Sequence, residues 1–168
     1  MPQISIQYFE TEVGELVAGA VEGRLCLLDY RHRKGRSLID NRIRKATGAE
    51  FIEQGDEVLS RTRAQLDEYL RGERTRFDIP LLLAGTAFQK SVWQMLQQIP
   101  YGTTLTYLQL ARKMGRENAV RAVAAANGAN AISIIIPCHR VVGSGGALTG
   151  YAGGLAAKGK LLALEAGR

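Results

Sequence analysis

Cysteine is scarce in this sequence. Its 168 residues hold two, Cys26 and Cys138, far apart and in unlike surroundings. That excludes a disulfide framework and points to a reducing compartment, the cytoplasm. Long apolar runs are missing too. The most apolar stretch, residues 129–137, is interrupted by Asn130 and Ser133 and falls far short of the ~20 residues a membrane-spanning helix needs. The opening Met1-Pro2-Gln3-Ile4-Ser5 lacks the basic-then-apolar pattern of a secretory signal. Acidic residues nearly vanish after residue 83, where Glu117 and Glu165 stand against nine Lys and Arg, whereas 14 acids face 13 bases before it. What is there, 46% hydrophobic and 23% charged residues, belongs to a folded globular chain and not a disordered one. A net charge of +6 that sits in the second half suggests a polyanionic partner, nucleic acid first. A basic face kept only for solubility is the plain alternative.

The first half reads as strands and then a helix. Ile4-Ser5-Ile6-Gln7-Tyr8-Phe9 alternates apolar and polar residues, as a half-buried strand does. Residues 13–21 and 24–30 continue the pattern, and Glu22-Gly23 is placed to turn a hairpin between them. Residues 31–45 are crowded with charge and read as an exposed loop or polar helix. Val58, Leu59, Thr62, Leu66, Tyr69 and Leu70 recur at helical spacing, with Gly72 as the stop. Residues 77–81 read as an extended connector in which Pro80 argues against a central strand. A domain boundary is expected near residues 83–85, giving domains 1–83 and 84–168.

The second half is helical. Thr86 is a plausible N-cap for a helix whose stripe is Phe88, Val92, Leu96 and Ile99. Pro100-Tyr101-Gly102 ends it. A second helix is expected over 106–114, closed by Gly115, and a third over 117–126, so the pair fits a helix-turn-helix. The third helix is rich in small residues around Arg121, which suits close approach to DNA. An alanine-rich packing helix with a solvated arginine is the other reading.

The chemistry concentrates in Ile134-Ile135-Ile136-Pro137-Cys138-His139-Arg140-Val141-Val142-Gly143. Three consecutive isoleucines predict a strand buried on both faces, ending at Pro137. A free thiol with a pKa near 8.5 is only about 3% ionised at neutral pH, and neighbouring cations such as His139 and Arg140 raise that fraction. Adjacent residues of a strand point to opposite faces, so Cys138 and His139 meet only through a bridging water or a turn starting at Pro137. An inert buried thiol and a hydrogen-bonded strand-end histidine remain open. Glu165 lies among Leu161, Leu162 and Leu164, where an unpaired carboxylate is costly. An exposed helix acid is its alternative. Six glycines within residues 143–154 let a backbone approach a flat base, and they lack the spacing of a phosphate-binding loop.

In order, GTAFQ, VW, IPYGTT, AVRAVAAANGAN, IIIPCHRVVG and LTGYAGGL resemble the O6-alkylguanine-DNA alkyltransferases, densely across residues 85–165 and weakly before them. The fold class expected is α+β. The resemblance implies a small antiparallel sheet with helices, RNase H-like, as a scaffold, and a mostly helical winged-helix-like domain carrying the helix-turn-helix. It implies direct repair, in which an alkyl group moves from O6 of guanine in duplex DNA to Cys138 after nucleotide flipping. O4 of thymine is a second candidate donor. His139 would act on Cys138 through water, Glu165 would orient His139, and Asn130 would be the hinge linking the helix-turn-helix to the active-site segment. Arg121 would replace the flipped base, Tyr107 would rotate the phosphate and bond the base edge, and Tyr151 would line the pocket. The Ala152 N–H would donate to O6, and the Cys138 and Val141 carbonyls would accept from the exocyclic amine.

No cofactor is implied, since the protein is itself the acceptor and each molecule acts once. Some relatives hold zinc with four Cys or His ligands in the N-terminal domain; Cys26 and His32 alone are too few, so no metal is expected. Cys26 and Trp93 read as core. The partner expected is double-stranded DNA with O6-alkylguanine, with no membrane, for a monomer that could cluster along DNA. The rivals are a helix-turn-helix regulator with a structural or redox-sensing cysteine and a binder of alkylated DNA that transfers nothing.

Overall fold

The computed structural model describes residues 2–168, and the chain divides into two compact units, Met1–Gly85 and Thr86–Arg168. The first is built on a four-stranded sheet of order β3-β2-β1-β4. Strands β1 (Gln3–Thr11), β2 (Gly14–Val21) and β3 (Arg24–Tyr30) form an antiparallel meander. Glu22 and Gly23, both at positive φ (49° and 77°), make its tight turn, the backbone hand that matches strand twist. A short fourth strand, β4 (Glu50–Glu53), adds to β1 in parallel. Its Glu-Phe-Ile-Glu sequence carries little alternation, and no strand is expected there from sequence.

Helix α1 (Arg36–Thr47) occupies most of the charge-rich stretch; Ile39 and Ile43 are its buried anchors. Helix α2 (Glu57–Leu70) starts where the Asp56 carboxylate accepts from the Val58 N–H at 2.7 Å. It buries Leu59, Leu66 and Tyr69. The connector after it is pinned at an edge. Leu25 N–H donates to Pro80 O at 2.8 Å and Leu82 N–H to Leu25 O at 2.9 Å, so Pro80 sits where no ladder needs its missing N–H. Cys26 is buried, and burial pushes its thiol pKa up to about 12, the state of an inert core thiol.

The second unit stacks helices α3 (Ala87–Leu96), α4 (Tyr107–Lys113), α5 (Val120–Gly128) and α6 (Leu155–Glu165) around two short parallel strands, β5 (Leu105–Thr106) and β6 (Val141–Val142). Thr86 with Gln89 and Thr106 with Gln109 close reciprocal capping boxes at the starts of α3 and α4. Helix α4, Gly115 at φ 66°, a 3-10 turn over Glu117–Ala119 and α5 make the helix-turn-helix. Trp93 Nε1 donates to Ala126 O at 2.8 Å, joining α3 to α5 inside the core.

One expected strand is absent. Ile134-Ile135-Ile136 form a turn in which Ile134 and Ile136 are buried and Ile135 is half-buried, with Ile134 in the left-handed region at φ 73°. The backbone groups close on themselves, Ile136 N–H to Ile132 O at 3.0 Å and Ile135 N–H to Ser133 O at 2.8 Å. Three β-branched residues mark burial here, and tertiary packing overrides their strand preference. Among the described residues no helix is long and apolar enough to cross a membrane.

Candidate active site

Cys138 opens a 3-10 turn, Cys138–Arg140, directly after Pro137, and the turn is closed by Arg140 N–H donating to Pro137 O at 3.0 Å. Three residues per turn fan successive side chains apart instead of alternating them. The bar against contact between strand neighbours therefore does not apply. All three side chains are buried.

Asn130, just past the end of α5, braces the segment before the turn. Its Nδ2 donates to Ile136 O at 2.8 Å, and its Oδ1 accepts from the Ile132 N–H at 2.9 Å. It is itself buried, so the helix-turn-helix and the cysteine-bearing turn are tied through one side chain.

His139 is wholly buried and its Nε2 lies 2.7 Å from Glu165 Oε2. A carboxylate only accepts, so Nε2 carries the proton and Nδ1 is left with its lone pair. Nδ1 is buried and bonds no protein atom. Burial holds the His139 pKa below the ordinary imidazole value, against the opposing pull of Glu165. The histidine is thus neutral, with one basic nitrogen available.

Glu165, at the end of α6, is buried as its leucine neighbours foretell. Its Oε1 also accepts from the Gly102 N–H at 3.2 Å. Gly102 has φ 80°, and a Cβ there would lie 3.1 Å from the Glu165 carbonyl oxygen, so only glycine gives this approach without a shift. Arg140 turns toward Glu165, with Nε at 2.7 Å from Oε1 and Nη2 at 3.0 Å from Oε2. Sequence proximity alone had suggested Arg140 as a charge beside the thiol.

Lys158 carries no signal that sequence reasoning used. Lying in α6 and fully buried, its Nζ donates to Val141 O and Thr149 O, each at 2.7 Å, and to Gly150 O at 3.4 Å. Burial lowers its pKa, and the charge of Cys138 acts in the opposite sense. Lys158 and Lys160 both stand in this otherwise largely apolar helix, and nothing in their spacing tells which of the two is buried. The Val141 carbonyl named above as a base acceptor thus already takes one hydrogen bond, and the Cys138 carbonyl takes another from the Val141 N–H. Each keeps one lone pair.

Tyr151 presents its ring edge-on to His139, centroids 6.5 Å apart, with half-buried Ala152 beside it. Tyr107 begins α4, and its hydroxyl donates to Thr149 O at 3.4 Å. Arg121 stands exposed on the first turn of α5. It shares that surface with exposed Ala122 and Ala125, a low profile around one cation. No group of three or more metal-ligating side chains is assembled among the described residues.

Chemically, the arrangement offers a thiol on a rigid buried turn, a neutral imidazole oriented by a carboxylate, and a basic nitrogen for the thiol's proton. Residues 87–167 match the family described as 6-O-methylguanine DNA methyltransferase, DNA binding domain. The methylated-DNA–protein-cysteine methyltransferase of Methanosarcina acetivorans is 44% identical over 158 residues, 94% of this chain and 95% of that protein. The enzyme of the same name from Mycolicibacterium paratuberculosis is 55% identical over 101 residues, 60% of this chain and 61% of that protein. Among solved structures, Mycobacterium tuberculosis OGT in complex with DNA superposes with a TM-score of 0.82 at 37% identity, covering 97% of this chain and 93% of that one.

Proposed function

This chain belongs to the methylated-DNA–protein-cysteine methyltransferase family, and on that premise we propose that Cys138 Sγ is the atom that receives the alkyl group from O6 of guanine. The protein acts on DNA and repairs it by transfer to its own cysteine. The observation that carries the assignment is a buried Cys138 next in the chain to a buried His139, whose Nε2 the Glu165 carboxylate holds at 2.7 Å.

The steps follow from those groups. The thiol proton passes through water to His139 Nδ1, and Glu165 stabilises the imidazolium so formed. The thiolate attacks the alkyl carbon in line with the C–O6 bond; a C–S bond forms as the C–O bond breaks. Guanine departs with the electron pair and takes up a proton, so charge and protons balance. Cys26 is ruled out as acceptor by its raised pKa and its place in the core.

A duplex hides O6, so the nucleotide has to leave the stack, at a cost on the order of a few kcal/mol. Arg121 fills the gap, and Tyr107 turns the phosphate and meets the base edge. The small exposed face of α5 suits a narrow minor groove. Tyr151 lines the base pocket, Ala152 N–H donates to O6, and the remaining lone pairs of the Cys138 and Val141 carbonyls face the exocyclic amine. Asn130 holds the two parts of this machine in register. DNA binding and alkyl acceptance both belong to residues 84–168, with 1–83 as scaffold. The site of action is the cytoplasm, where a lone reactive thiol stays reduced.

The test is incubation with a duplex containing O6-benzylguanine, followed by peptide mass spectrometry. A benzyl adduct on the peptide bearing Cys138, absent in Cys138→Ala, is the expected result. An unmodified Cys138 peptide in protein that still binds the duplex overturns the assignment and favours a binder without transfer.

A further inference from the structure

Arg140 makes three hydrogen bonds from a buried position, and none of them goes to the thiol. Its Nε and Nη2 fork onto the two oxygens of Glu165 at 2.7 and 3.0 Å, while Nη1 reaches Ile99 O at 2.7 Å. With Gly102 N–H on Oε1 and His139 Nε2 on Oε2, each carboxylate oxygen has two donors. A carboxylate so occupied cannot rotate, and the imidazole hung from it cannot swing.

We propose that Arg140 is a positioning residue of the alkyl-transfer site, which clamps Glu165 and shares its charge so that the carboxylate orients His139 without capturing a proton on it. The inference rests on the transfer function assigned above. Its physical basis is a conflict inside the site. A bare buried carboxylate 2.7 Å from an imidazole favours the imidazolium strongly, and an imidazolium has no lone pair with which to relieve the thiol. Glu165 must be close enough to fix the tautomer and yet electrically muted. A guanidinium fork does both, because it matches both carboxylate oxygens and never loses its own proton.

The charged and titratable groups around His139 agree with that division. Glu165 and Lys158 face it from α6, Cys138 and Arg140 from its own turn, and Tyr151 from the loop that leads into α6; Tyr101 lies against Arg140, 5.7 Å from ring centre to guanidinium. Burial disfavours the protonated imidazole most, Glu165 favours it, and Arg140 and Lys158 add to the side of burial.

The chain has two histidines, so imidazole 15N resonances can be assigned with His32→Gln. Titration of wild type, Arg140→Met and Arg140→Lys, beside their benzyl-transfer rates as a function of pH, decides the matter. In Arg140→Met the His139 midpoint should rise by about one pH unit or more, carrying the acid limb of the transfer rate with it. Arg140→Lys keeps the charge and loses the fork. Its midpoint should stay near wild type while the plateau rate falls about tenfold. A lower melting temperature with the His139 titration unmoved in Arg140→Met overturns the inference, as does a wild-type plateau in Arg140→Lys. Should wild type leave Cys138 unalkylated, the transfer function falls, yet the NMR titrations still report whether Arg140 governs His139.

Discussion

The side chain of Asn130 bonds Ile136 twice over in effect: directly, by Nδ2 to its carbonyl at 2.8 Å, and through Ile132, whose N–H it holds at 2.9 Å and whose carbonyl receives the Ile136 N–H at 3.0 Å. Asn130→Ala leaves those buried backbone groups without their partner. Stability should fall by about 1–3 kcal/mol, read by chemical denaturation, and alkyl transfer should slow because the turn bearing Cys138 loses its brace. Unchanged transfer in a destabilised variant would confine Asn130 to folding.

Acid should weaken both the fold and the reaction. The folded His139 has a pKa below the ordinary 6.5 because it is buried, so the unfolded chain takes up a proton there that the folded chain refuses. Its contribution is fully present above about pH 6.5 and is lost as pH falls toward the depressed folded value. The midpoint of urea unfolding, followed against pH, should show this loss, and His139→Gln should flatten it. Transfer rate should hold level through neutrality and drop on the same acidic side, where Nδ1 fills.

Lys158→Met keeps the length of the side chain and removes the ammonium. Relieving a buried charge offsets part of what is lost, so the variant should fold. The carbonyls of Val141, Thr149 and Gly150 would then have no common donor. Amide exchange around residues 147–153 should accelerate, and transfer should slow about tenfold or more, as expected when groups that position a substrate are misplaced. Native exchange rates in the variant would deny Lys158 this role.

Arg121→Ala should separate DNA from base. Transfer from O6-alkylguanine in duplex should slow by about tenfold or more, since the extruded nucleotide loses its replacement in the stack. Reaction with free O6-benzylguanine should be unaffected, as Arg121 is exposed on the first turn of α5 and makes no bond to the Cys138 turn. Equal losses on both substrates would exclude Arg121 as the group that fills the gap left by the flipped base.

Local signals were legible and distant ones were not. Thr86, Thr106 and Gly115 mark helix ends by chemistry that acts within four residues. Glu22-Gly23 declares its turn in the same way. Cys138, His139 and Glu165 could be picked out because a thiol, an imidazole and an acid are conspicuous in a basic, apolar setting. The partners of Arg140 and Lys158 depend on side chains and carbonyls brought together by folding, and no spacing encodes them. Strand β4 needed its parallel neighbour β1 to become visible. Ile134-Ile135-Ile136 misled because β-branching reports a buried, pleated surface, and here only the burial was true.

Ile134 is the feature with the longest reach. A β-branched residue at φ 73° is uphill by on the order of 1–3 kcal/mol, and it sits between Asn130 and Cys138 in a segment cross-tied by its own short hydrogen bonds. A slack loop would absorb a small displacement of α5. This one is held at Asn130 and Ile132 by those bonds, so little slack remains between α5 and the turn that bears Cys138. Glycine at 134 would ease the backbone and, by the same act, soften the connection.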